Sequence, residues 1–215
     1  MDSPPTVFER FHQIGIIPVL EIDAAEGALP LANSLIAGGL PVAEVTLRTD
    51  AALRSIELIA RDLPGVLLGA GTVLDRRQAQ AAHAAGAQFL VCPGMIDEVV
   101  LWAQEHTVPV LAGAVTPTEM INGLHMGLDL LKFFPAETMG GLPALKAMSD
   151  PFPRLRFIPT GGIHLNNAAA YLRSAKIHAV GGSWMAKRAM IAGRQFDEIT
   201  SLARQASDLV KQIRG

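Results

Sequence analysis

Eight short apolar runs, at 16–22, 42–47, 66–69, 89–92, 109–112, 128–134, 156–159 and 179–180, alternate along this chain with longer amphipathic segments. The longer segments lie at 24–37, 50–62, 75–85, 96–106, 117–125, 142–149 and 166–174, and a last one at about 195–213 closes the chain. Short runs that are apolar throughout suit strands covered on both faces, whereas the Ala-rich segments follow the helical period. Phrases such as Ala37-Gly38-Gly39, Ala85-Gly86-Ala87 and Met126-Gly127-Leu128 read as glycine stops that end one helix and lead into the next strand. Eight such units in 215 residues predict an α/β fold. The expected form is a single-domain (β/α)8 TIM barrel over residues 1–215, with an open doubly wound sheet as the alternative. Residues 1–12 are expected as an N-terminal arm or helix, the Pro4-Pro5 pair favouring an extended start.

Composition narrows the function classes. Half the residues are apolar and 18% are charged, enough for one large core. A net charge of −2, no basic block and 5% aromatics argue against a nucleic-acid surface. No apolar stretch reaches the roughly 20 residues that span a bilayer, and Met1-Asp2-Ser3-Pro4-Pro5 has no basic leader region, so no membrane association and a cytoplasmic location are expected. The single cysteine, Cys92, reads as a packing residue at a strand end. The six histidines are scattered without ligand spacing, and no protein-bound metal is expected.

Lys132 stands out, because it interrupts the apolar run Leu130-Leu131-Lys132-Phe133-Phe134. Burial strips an ammonium of its hydration and favours the neutral amine, which is a nucleophile. The other four lysines, at 146, 176, 187 and 211, fall in helical or loop stretches. Lys132 is therefore either a Schiff-base lysine or a strand-end lysine that snorkels to solvent or pairs with a carboxylate.

In a barrel, chemistry gathers at the carboxyl ends of strands. Alternation along Val42-Ala43-Glu44-Val45-Thr46-Leu47-Arg48 sends Glu44, Thr46 and Arg48 inward. Glu44 suits proton transfer and Arg48 a carboxylate clamp, unless the two simply pair with each other. The third strand ends in Gly69-Ala70-Gly71-Thr72, with room and a hydroxyl. Glycine pairs after strands seven and eight, Gly161-Gly162 and Gly181-Gly182, stand where barrels commonly bind phosphate with backbone N–H groups.

Taken together, Glu44-Val45-Thr46-Leu47-Arg48-Thr49, Gly69-Ala70-Gly71-Thr72-Val73-Leu74, Lys132-Phe133-Phe134-Pro135-Ala136-Glu137, Pro159-Thr160-Gly161-Gly162-Ile163 and Gly181-Gly182-Ser183-Trp184 closely resemble the bacterial 2-keto-3-deoxy-6-phosphogluconate (KDPG) aldolase family. That family also contains 4-hydroxy-2-oxoglutarate (KHG) aldolases. The resemblance implies a class I aldolase barrel that works without metal or other cofactor, usually as a homotrimer, on a small keto-acid phosphate. It makes Lys132 the Schiff-base lysine and Glu44 the general acid/base. Arg48, Thr72, Pro93, Phe134 and Thr160 become substrate contacts, and Gly161, Gly162, Gly182 and Ser183 the phosphate loops. The implied reaction is cleavage of KDPG to pyruvate and D-glyceraldehyde 3-phosphate in the Entner–Doudoroff route. KHG or the galactonate epimer is the alternative substrate. Two departures touch the pocket: Cys92-Pro93-Gly94 stands where familiar members carry Ser-Pro-Gly, and Ala112-Gly113-Ala114-Val115 where they carry a Pro-Gly-Ile-Ser-like turn. A barrel isomerase or synthase that uses Lys132 without a covalent step, or a non-catalytic sugar-phosphate binder, are the readings from other classes.

Overall fold

The computed structural model describes residues 5–215, so the start of the expected extended arm lies outside the described residues. Helix α1 (Val7–Ile14) follows at once, opened by a reciprocal cap in which the Thr6 hydroxyl accepts from the Glu9 N–H and the Glu9 carboxylate accepts from the Thr6 N–H. The chain then alternates strand and helix: β1 (Ile16–Leu20), α2 (Ala28–Ala37), β2 (Val42–Thr46), α3 (Ala52–Asp62), β3 (Leu67–Gly71), α4 (Arg76–Ala84), β4 (Phe89–Val91), α5 (Asp97–Glu105) and β5 (Val110–Leu111). It continues with α6 (Pro117–His125), β6 (Leu130–Phe133), α7 (Gly141–Ser149), β7 (Arg156–Pro159), α8 (Leu165–Leu172) and β8 (Val180–Gly182). Two helices end the chain, the short α9 (Arg188–Ala192) and the long α10 (Phe196–Arg214).

All paired strands are parallel. Six form one curled sheet in the order β5-β4-β3-β2-β1-β8, and β6 and β7 pair separately. Single bridges, Gly113 to Lys132 and Thr160 to Gly181, link the β6-β7 pair to the two edges of the larger sheet. The result is a single α/β domain.

Strand alternation divides the core in two. Ala43, Val45, Leu131 and Phe133 face outward into the layer between strands and helices. Ile17, Val42, Leu67, Phe89, Leu111, Leu130 and Ile158 face inward and pack on one another. Phe11 of α1 joins this inner cluster, its ring edge-on to Phe89 at 4.8 Å between centroids. Helix α1 therefore covers the inner cluster from the amino ends of the strands. Further along the same inward faces the residue types change, because Glu44 and Thr46 follow Val42, and Lys132 follows Leu130. All three are buried polar residues, as is Thr160 just beyond β7. Burying polar groups costs free energy unless they find partners, so their gathering at one end of an otherwise apolar interior marks a site.

Candidate active site

Lys132 comes from the middle of β6 and points inward between the apolar Leu130 below and the Phe134 ring above, with Nζ 5.2 Å from that ring's centre. Its ammonium end meets Glu44 of β2, Nζ to Oε1 being 3.4 Å, with side chains only 7% and 3% exposed. Space for Glu44 exists because Gly71 of β3, the register partner of Thr46, has no side chain: a Cβ there would stand 2.3 Å from Glu44 Oε1. Gly71 is thus a packing requirement of the buried carboxylate, whereas Gly69 makes room for the Phe89 ring, which a Cβ there would meet at 2.2 Å.

A pocket of about 180 Å³ opens above this pair, lined by Val19, Glu44, Thr46, Arg48, Thr72, Pro93, Lys132, Phe134 and Thr160. It brings together all seven side chains named from sequence for catalysis and substrate contact. Val19 and Thr46 join them. The Thr46 hydroxyl donates to the Leu20 carbonyl at 2.9 Å and accepts from Arg48 Nε at 3.5 Å. Thr72 holds a left-handed backbone, φ 59°, a conformation that costs a β-branched residue on the order of 1 kcal/mol. Such strain is retained where the fold needs one side chain at one place, and here it is a hydroxyl in the pocket wall.

Arg48 does not pair with Glu44. Its Nη2 reaches Glu21, just past β1, at 3.0 Å, and the other Glu21 oxygen pairs with Arg188 at the start of α9. Arg188 in turn donates to both oxygens of Asp23, at 2.8 and 2.7 Å. Neither Glu21 nor Arg188 was singled out from sequence, because nothing local signals that three strand ends will meet.

The glycine loops do not line the pocket. They adjoin it: Thr160 lines the wall and bridges to Gly181, which leads into Gly182 and the exposed Ser183. Gly161 and Gly162 follow with φ of 97° and 77°. Gly162 has a second reason to be glycine, since a Cβ would lie 2.6 Å from that of Glu137. This loop is fixed from outside: the Glu137 N–H donates to the Gly161 carbonyl at 3.1 Å, and Asn167 Nδ2 to the Gly162 carbonyl at 3.0 Å. The Tyr171 hydroxyl donates to the Glu137 carboxylate, and burial first, then that carboxylate, pushes the phenol's pKa up.

Cys92 is fully buried in the layer between strands and helices, and burial pushes its thiol up to about 12, with Lys132 opposing the effect and the Glu44 charge adding to it. Such a thiol is not a nucleophile at neutral pH. A larger groove, about 400 Å³, runs between Asp23, Glu26, Ile191 and Arg194, but it contains none of the buried polar cluster. Size alone is a weaker guide than convergent ionisable groups, so the smaller pocket is the candidate site. Among the described residues no three His, Cys, Asp or Glu side chains group to hold a metal ion, and no helix is long and apolar enough to cross a membrane.

An inward lysine–carboxylate pair at the carboxyl ends of parallel strands, in a single α/β domain, defines the class as an α/β enzyme, and comparison with known proteins gives the family. Residues 7–202 match the aldolase family described as KDPG and KHG aldolase, and the chain belongs to it. It is 44% identical over 205 residues to the 2-dehydro-3-deoxy-phosphogluconate aldolase of Treponema pallidum (strain Nichols), covering 95% of this chain and 98% of that one. It is 41% identical to the KHG/KDPG aldolase of Escherichia coli (strain K12), covering 91% and 92%. A crystal structure of KDPG aldolase from Legionella pneumophila, with pyruvate captured as a covalent carbinolamine intermediate, superposes with a TM-score of 0.90 at 40% identity, covering 94% of this chain and 98% of that one.

Proposed function

We propose that this protein is a class I aldolase that cleaves 2-dehydro-3-deoxy-6-phosphogluconate to pyruvate and D-glyceraldehyde 3-phosphate. The observation that carries the reading is the buried Lys132–Glu44 pair, 3.4 Å apart at the floor of the pocket. In this reading Glu44 takes a proton from Lys132, and the neutral amine attacks the C2 ketone to give a carbinolamine. Glu44 then returns a proton to the departing hydroxyl, so that water leaves and a protonated imine forms. The imine draws electrons from the C3–C4 bond when the C4 hydroxyl loses its proton to Glu44, releasing the aldehyde and leaving the pyruvate enamine on Lys132. Protonation at C3 and hydrolysis release pyruvate and restore the pair.

Arg48, with Thr72, is assigned to the substrate carboxylate, and Pro93, Phe134 and Thr160 to the walls around the reacting carbons. Gly161, Gly162, Gly182 and Ser183 are assigned to the phosphate, at the far side of Thr160. That arrangement separates an inner pocket for the pyruvyl end from an outer loop site for the phosphate. We also read residues 1–215 as one closed (β/α)8 barrel, with 195–213 as its closing helix; the bridges at Gly113–Lys132 and Thr160–Gly181 support closure. A cytoplasmic homotrimer working without metal is carried over from the family resemblance, and sedimentation equilibrium tests the trimer.

The nearest second reading is preference for 4-hydroxy-2-oxoglutarate, favoured by the Escherichia coli relative whose name joins both substrates. Incubation with pyruvate and borohydride tests the chemistry: a reduced adduct mapped to Lys132 is expected, and a folded protein without one rejects the Schiff-base reading. Comparing kcat/KM on the two substrates decides between them.

A further inference from the structure

The rim of the pocket carries a ladder of alternating charges, Arg48–Glu21–Arg188–Asp23, that crosses three adjacent strand ends. Glu21 and Asp23 come from the end of β1, Arg48 from the end of β2, and Arg188 from the segment after β8. We propose that Glu21 is the positioning residue for Arg48, setting the guanidinium that receives the substrate carboxylate. The proposal rests on the Arg48 assignment above.

Three observations carry it. Arg48 is long and its side chain is 53% exposed, so without a partner it samples many rotamers and loses that freedom on binding. Two contacts hold it from the protein side, Nε on the Thr46 hydroxyl and Nη2 on Glu21, which leaves Nη1 without a protein partner among the described residues. Glu21 is itself fixed. The carbonyls on either side of it, Leu20 and Ile22, accept from the Thr46 and Thr49 hydroxyls at 2.9 and 2.5 Å, and Ile22 is fully buried, so the backbone at Glu21 is tied to the same β2 end that bears Arg48. Arg188, occupied by Asp23 on its other side, takes the second Glu21 oxygen and stops that carboxylate from turning toward solvent. An isolated pair at this exposure would contribute little; a network with one partner only 18% exposed and tied to its backbone preorganises the clamp.

The test is steady-state kinetics on five purified proteins: wild type, Glu21→Ala, Arg48→Ala, the double variant, and Glu21→Gln as the conservative control. Glu21→Ala is expected to raise KM for the keto acid about tenfold with kcat within about twofold, the scale of one ordered charge-assisted contact. Glu21→Gln, which keeps an acceptor oxygen for Arg48, recovers part of that loss. In the Arg48→Ala background, Glu21→Ala adds nothing to KM. If Arg48→Ala raises KM and Glu21→Ala does not, the positioning role is overturned and the Arg48 assignment survives. A lowered KM in Glu21→Ala also overturns it, marking Glu21 as a competitor for the guanidinium. If Arg48→Ala itself leaves KM unchanged, the assignment and the proposal fall together.

Discussion

Lys132 Nζ lies 3.4 Å from Glu44 Oε1 with both side chains almost wholly out of water. Breaking such a pair from one side is costlier than removing it altogether, because the remaining charge is left buried without a partner. Lys132→Met is therefore expected to lose the borohydride-trapped adduct and about 3 kcal/mol of stability, and the double variant Lys132→Met/Glu44→Gln to regain most of that stability. Urea unfolding of the single and double variants measures it. A double variant no more stable than Lys132→Met alone rejects the coupling.

Glu44→Gln separates structure from proton transfer. The amide fills the same space beside Gly71 but neither takes nor returns a proton readily. Trapping of pyruvate on Lys132 is expected to persist while kcat falls at least about a hundredfold, the usual scale of a general acid/base. Near-normal turnover would remove Glu44 from the role.

The strands were legible because parallel strands covered on both faces must be apolar almost throughout, so the intrusion of Lys132 into β6 was visible as an anomaly. The inward column Val42, Glu44, Thr46 was legible for the same reason, since alternation in a strand is strict. Helix α1 was read as an arm or helix with no fixed choice, although Thr6-x-x-Glu9 carries the cap that opens it at Val7. Strand eight was read at 179–180 and forms at Val180–Gly182, because its glycines are held by neighbours rather than by propensity. Glu21 could not be read as the partner of Arg48. That contact depends on how β1, β2 and the segment after β8 lie side by side, and no spacing within any one of them reports it.

The loops beyond Thr160 should matter only for the far end of the substrate. Ser183→Asp places a carboxylate in the exposed turn after Gly182, and like charges close together repel. It is expected to lower kcat/KM on the phosphorylated substrate by about a hundredfold, and on 4-hydroxy-2-oxoglutarate by less than about fivefold, allowing for the negative end that substrate also carries. Equal losses on both would reject the phosphate assignment.

His178 predicts how stability responds to acid. Its pKa lies below the ordinary 6.5, chiefly because the ring is half buried, with the charges of His12, Arg214 and Arg156 acting in the same direction and its hydrogen bond to the Phe8 carbonyl opposing them. The folded state therefore holds the ring neutral where the unfolded chain already binds a proton. Stability from this group is complete above about pH 6.5 and declines as pH falls toward the folded value. Urea midpoints are expected to drop between pH 7 and pH 5, and His178→Gln, which retains a donor for Phe8, to flatten that slope. An unchanged slope in the variant would assign the decline to other groups.

Cys92 offers a check on the packing between strands and helices at the end of β4. A fully buried thiol pushed up to about 12 has almost no thiolate at pH 8 and no path for a reagent. Native protein is expected to react with iodoacetamide at least about a hundredfold more slowly than the same chain in denaturing urea. Cys92→Ser tests the same layer from the polar side: it buries a hydroxyl that must find a partner, and should cost on the order of 1 to 3 kcal/mol. Rapid alkylation of the native protein would mean that this layer opens far more often than its burial implies, and turnover would then be expected to fall in step with labelling.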